Sequence, residues 1–132
     1  MTQRVMDKAQ KALASATILL DVGDTDGAAN RAYYAMFDAA IAALSWAGAD
    51  TGQAPPKTHG GLIASFGQNL VRTGNLPTEC GRALNRVQEL RLTADYLAEP
   101  VPLDKAKWAI EEADSFVAAV AALLLQPKPS SP

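Results

Sequence analysis

Arg91 is the first residue of this 132-residue chain whose setting calls for chemistry. At the helical period it shares an arc with Leu84, Val87, Leu90, Ala94 and Ala98, and Asp95 stands one turn on at the edge of that arc. A guanidinium aligned with an apolar stripe needs a carboxylate or backbone partner, because burying the charge alone is costly. Asp95 on the same helix and Asp38 elsewhere in the chain are the two candidates. Arg before Asp is the less favourable order for a pair within one helix. A structural pairing and a functional role for Arg91 both stand open at this point.

Lys57-Thr-His-Gly-Gly61 precedes an apolar helical stretch. Free N–H groups at a helix start favour an anion, and Lys57 and His59 add charge for a phosphate. His59 is the one histidine, and so the one side chain whose ordinary pKa suits proton transfer near neutrality. The bland reading is a helix start capped by Thr58 with a surface histidine, since no Gly-x-x-x-x-Gly-Lys-Ser/Thr loop is present. Arg82 and Arg86 lie one turn apart, with Arg72 as a possible neighbour, and make a strip for RNA phosphates unless Glu79 and Glu89 neutralise it. Tyr96 points away from the apolar arc of its helix, toward an interface or a site wall. One histidine, one cysteine (Cys80) and no paired ligand spacing argue against a metal site, and no base is identifiable beside Cys80 or any serine.

These side chains must be positioned by helices, and the stretch that organises them begins at Asn30. Around its circumference, alanines at 28, 29, 32, 35, 39, 40, 42 and 43 allow close approach, while Tyr33, Met36, Phe37, Ile41, Leu44 and Trp46 supply bulk. One narrow polar stripe remains, made by Arg31, Tyr34, Asp38 and Ser45. The spacing predicts a first helix over 3–22 ended by Gly23, this central helix up to about 47, a weaker third over 59–72, a fourth from Thr78 to about 98, and a fifth from Asp104. Residues 49–56, with Gly52, Pro55 and Pro56, read as an exposed loop. No strand-like alternation stands out. The fold class is all-α: a single-domain antiparallel bundle of four long helices plus a shorter fifth over residues 1–126, followed by a disordered Pro/Ser tail at 127–132.

Composition bounds the partners. Hydrophobic residues make up 48% and charged residues 20%, which suits a packed domain, and a net charge of -2 does not imply a general polyanion-binding surface, so any nucleic-acid contact needs a local cluster of Arg and Lys. The apolar run 116–125 is far short of the roughly 20 residues that span a bilayer. The charged N-terminal residues, where a secretory leader would turn apolar, favour the cytoplasm.

Three blocks together resemble the HEPN superfamily, specifically its small stand-alone members. They are Asn30-Arg-Ala-Tyr-Tyr-Ala-Met-Phe37, Lys57-Thr-His-Gly-Gly-Leu62, and Leu84-Asn-Arg86 with Glu89-Leu-Arg-Leu-Thr-Ala-Asp-Tyr96. The resemblance implies a homodimeric helical bundle, paired with a minimal nucleotidyltransferase as toxin and antitoxin, and in active members a metal-independent endoribonuclease needing no cofactor. The active motif there is an Arg followed four to six residues later by a His. Arg91 matches the arginine, but Asp95 and Tyr96 stand where the histidine belongs, so His59 can serve only if the fold or the dimer brings it beside Arg91. Under this reading the catalytic set is Arg91, His59, Tyr96 and Asp95, supported by Arg31, Tyr34, Asp38, Lys57 and Arg86. The alternative is a non-catalytic module that binds RNA, a nucleotide or a protein through the same polar cluster.

Overall fold

A computed structural model of the chain describes residues 2–48, 58–97 and 99–129. Five α-helices follow one another: α1 (Thr2–Asp21), α2 (Thr25–Trp46), α3 (His59–Phe66), α4 (Thr78–Tyr96) and α5 (Leu103–Leu124). Among the described residues there is no strand. The four long helices and the short α3 match the expected bundle. The proposed loop at 49–56 and Lys57 lie outside the described residues, as do the last three residues of the expected tail.

Local chemistry sets the helix ends. Gly23, at φ +86°, turns the chain out of α1, and Asp24 then caps α2 by accepting from the Gly27 N–H at 2.8 Å. Thr58 caps α3 in the same way, accepting from the Gly61 N–H at 2.9 Å. The third helix does not run as a regular α-helix to Arg72. From Gly67 to Val71 it widens to a π turn, with the Arg72 N–H reaching back to the Gly67 carbonyl. The Asn69 side chain occupies the Ser65 carbonyl at 2.9 Å, one of the acceptors a regular ladder would use. α4 stops at Tyr96, two residues before the expected end, and Leu97 is already extended.

α2 packs against every other helix. Its alanines 28, 29, 32, 35, 39, 40, 42 and 43 have essentially no exposed surface, so neighbouring backbones approach it on all sides. Thr2 meets Ser45 at one end of the bundle, and there the Trp46 indole donates to the Gln126 carbonyl at 3.2 Å. At the other end the Asp26 carboxylate accepts from the Val101 N–H at 2.8 Å. α1 and α4 therefore run antiparallel to α2, and α5 runs parallel to it. Phe66 and Phe116, with ring centroids 5.2 Å apart, join α3 to α5 through the core. The apolar run forms the end of α5 up to Leu124, packed through Phe116, Val117, Val120 and Leu123 while Leu125 is exposed beyond it, and no helix among the described residues is long and apolar enough to cross a membrane.

A core built on alanine leaves no room for bulk. Ala40→Leu is expected to lower stability by about 1–3 kcal/mol in urea unfolding. An unchanged midpoint would show that α2 is not close-packed at that position.

Candidate functional site

Tyr33 and Tyr34 are consecutive on α2 and so point about a quarter-turn apart, and Phe37 lies one turn further along the same side. Together they form an aromatic wall. α3 delivers His59 to this wall as its first residue, and α4 delivers Arg91 from the opposite direction. The His59 ring lies 4.9 Å from Phe37, 5.5 Å from Tyr33 and 5.9 Å from Tyr34, measured between centroids. The Arg91 guanidinium carbon stands 4.8 Å from the Tyr33 centroid and 5.8 Å from that of Tyr34. His59 and Arg91 therefore meet on one ring within a single protomer.

Tyr33 is the hinge of this arrangement. Its side chain has no exposed surface, and its hydroxyl lies 2.5 Å from His59 Nδ1. Sequence reading treated it as core bulk. The available signal was a phenol inside an otherwise apolar arc, which needs a polar partner once buried. Burial pushes its pKa up to about 12 against the opposing pull of Arg91, with Tyr34 adding slightly, so it stays protonated.

Arg91 is held on two sides. Its Nη1 donates to the Asp95 carboxylate at 3.3 Å, so the local pair forms despite its less favourable order, and it forms with only 13% of the Arg91 side chain exposed. The face of Tyr33 supplies a cation–π contact, worth about 0.5–2 kcal/mol depending on desolvation. The Arg91 Nε–H is buried without a hydrogen-bond partner. Such a group is costly unless something accepts from it.

His59 is pushed below its ordinary pKa, first by burial and then by the positive charge of Arg91. Its place at the positive end of α3 acts in the same direction. The imidazole is thus neutral at pH 7. Its neutral form contributes stability that is fully present above pH 6.5 and is lost as pH falls through the lowered value.

The remaining sequence candidates divide. Arg31 stands 5.9 Å from the Tyr34 centroid, so two guanidinium groups lie near that ring. Asp38 is not a partner of Arg91. Burial raises its pKa, while Lys8 and Arg31 pull it down, which places it toward α1. Tyr96 is 85% exposed and joins none of the ring contacts around His59. Arg86 lies apart, lining a groove of about 180 Å³ between α4 and α5 with Arg82, Trp108, Glu79 and Glu112. The expected neutralisation of Arg82 and Arg86 by Glu79 and Glu89 does not take the form of ion pairs among the described residues. Arg72 is not part of that groove. No group of three or more His, Cys, Asp or Glu among the described residues could hold a metal ion, and burial pushes the Cys80 thiol up, away from nucleophilic use.

A five-helix bundle with a buried cation and a neutral imidazole on one tyrosine ring defines a small all-α domain with a polar cluster between α2, α3 and α4. The HEPN domain matches residues 2–123, and the chain belongs to that family. It is 39% identical over 94 residues to the UPF0332 protein glr0978 of Gloeobacter violaceus, covering 71% of each chain. To "Putative toxin MJ0605" of Methanocaldococcus jannaschii it is 34% identical over 115 residues, 87% of this chain and 82% of that one. A UPF0332 protein of Thermotoga maritima is 33% identical over 119 residues, 89% of this chain and 86% of its own length.

The Arg91 charge is the part of the His59 environment that mutation can remove most cleanly. Arg91→Met is expected to raise the His59 pKa toward 6.5, read by proton NMR on the chain's single histidine. A pKa that stays put would show that the two side chains do not interact.

Proposed function

We propose that this chain is a toxin-like HEPN protein whose Arg91 and His59 act on an RNA phosphodiester without a metal ion. The observation that carries the reading is the meeting of the Arg91 guanidinium and a neutral imidazole on the same Tyr33 ring. The 13% of the Arg91 side chain that stays exposed is where a phosphate oxygen would be met, since guanidinium groups bind phosphate through charge-assisted hydrogen bonds. The reaction is attack by a ribose 2′-oxygen on the adjacent phosphorus. A 2′-O–P bond forms as the P–O5′ bond breaks, the 2′-hydroxyl proton passes to solvent and the 5′-oxygen takes one up. The products are a 2′,3′-cyclic phosphate and a 5′-hydroxyl. Arg91 offsets the charge that builds on the phosphoryl oxygens in the transition state, and Asp95 and Tyr33 hold it in place.

The relatives named as toxins support a toxin–antitoxin setting, with a minimal nucleotidyltransferase as the antitoxin that the family resemblance implies. Tyr96, Leu92 and Leu97 are exposed around the C-terminal end of α4 and suit a homodimer interface close to Arg91. A second reading, a non-catalytic module that binds RNA or a nucleotide, is favoured by one observation: Asp95 is tied to Arg91 and Tyr96 stands in solvent, so neither adds a proton-transfer group to the cluster.

The test is cleavage of total and transfer RNA by the purified protein with a chelator present. Cleavage should persist in chelator and fall about 100-fold or more in Arg91→Ala, the scale expected for losing a transition-state charge contact. RNA binding without cleavage would select the second reading. Tyr96→Asp with Leu97→Asp should convert a dimer to a monomer in sedimentation, and an unchanged sedimentation profile would exclude that face of α4 as the interface.

A further inference from the structure

The polar cluster contains one hydrogen bond whose direction is fixed by elimination. Tyr33 has no exposed surface, and among the described residues its hydroxyl has His59 Nδ1 as its sole hydrogen-bond partner. A buried phenolic O–H left without an acceptor is costly, so the proton points at Nδ1. Nδ1 must then offer its lone pair, and the ring proton of the neutral imidazole sits on Nε2. We infer that Tyr33 is a positioning residue that holds His59 as the Nε2–H tautomer, so that His59 meets a phosphate oxygen as a hydrogen-bond donor and not as a base.

The inference rests on the RNA-directed reading of the site for its substrate, but the tautomer itself does not depend on it. Among the described residues, the groups that face the ring oppose its protonation. From α2 come the Tyr33 hydroxyl, the Tyr34 ring and the Phe37 ring, and from α4 comes the Arg91 guanidinium, which opposes a second positive charge. A neutral N–H donor beside an arginine makes a two-pronged clamp on one phosphoryl group. Arg91 brings charge, and His59 brings direction without adding to the repulsion between them. This division explains why the cluster needs no acidic partner on His59. In many sites a carboxylate on Nδ1 raises the basicity of Nε2. Here a phenol takes that position and does the reverse, because a donor at Nδ1 disfavours protonation of the ring.

The chain holds a single histidine, so nitrogen-15 NMR reads the tautomer without assignment. In the unmutated protein at pH 7.5, we expect two well-separated ring nitrogens, with the proton on Nε2. Tyr33→Phe keeps the aromatic face for Arg91 and removes the hydroxyl. It should bring the two nitrogen shifts toward each other as the tautomers mix, and raise the His59 pKa. Two averaged nitrogens in the unmutated protein, or a Tyr33→Phe spectrum identical to it, would overturn the inference. Should Tyr33→Phe fail to fold, the unmutated spectrum decides alone. Adding a 2′-O-methyl dinucleotide, which cannot be cleaved, separates the tautomer from the function. A fixed Nε2–H whose resonance shifts with the dinucleotide supports the donor role. A fixed Nε2–H indifferent to it retains the Tyr33 tautomer assignment and removes the phosphate reading.

Discussion

Burying a phenol and a guanidinium at the same place in an alanine-packed core is the constraint on which the rest of this structure depends. Neither group tolerates a dry environment without partners. Tyr33 settles the matter for both, since its face takes the Arg91 charge and its hydroxyl takes His59 Nδ1. Three helices are thereby tied at one point. α2 provides the ring, α4 the cation and α3 the imidazole, and none of these contacts survives if the helices shift past one another by a turn. The small side chains of α2 bring the neighbours close enough for one tyrosine to bridge them.

Much of this was legible in the sequence because helical period and end signals are local. Gly23 and Thr58 announced a helix end and a cap, and the alanine pattern from residue 28 to 43 announced a helix closely surrounded by its neighbours. The alignment of Arg91 with an apolar arc correctly marked it as a cation held against the core. The π turn at 67–71, where the Asn69 amide bonds the Ser65 carbonyl, was not legible, because helical periodicity does not encode such side-chain bonds to the backbone.

The site was legible only in part, for a related reason. Residue type singled out His59 and Arg91, but their meeting depends on how α3 and α4 pack against α2, and that is a tertiary fact. Asp38 looked like a partner for Arg91 because it shares a stripe with Arg31 and Tyr34. Its helix face turns instead toward Lys8 on α1. Tyr33 reads as filler in the sequence because an aromatic residue in an apolar arc is ordinarily that. Its hydroxyl is what distinguishes it from Phe66 or Phe116, which are equally buried and have only packing to do.

The position of the histidine has a further physical consequence. A histidine four residues after an arginine would share its helix face, and the helix itself would set the distance between them. This chain carries Asp95 at that position, where it fixes the arginine instead. The imidazole comes from another helix, at the end of a segment whose entry lies outside the described residues. Helix geometry then no longer dictates the orientation of the ring, and a hydrogen bond must. A carboxylate could supply one, but it would set a second acidic group beside a guanidinium already paired with Asp95. A tyrosine orients the ring, leaves the guanidinium its charge, and lends its face to hold it.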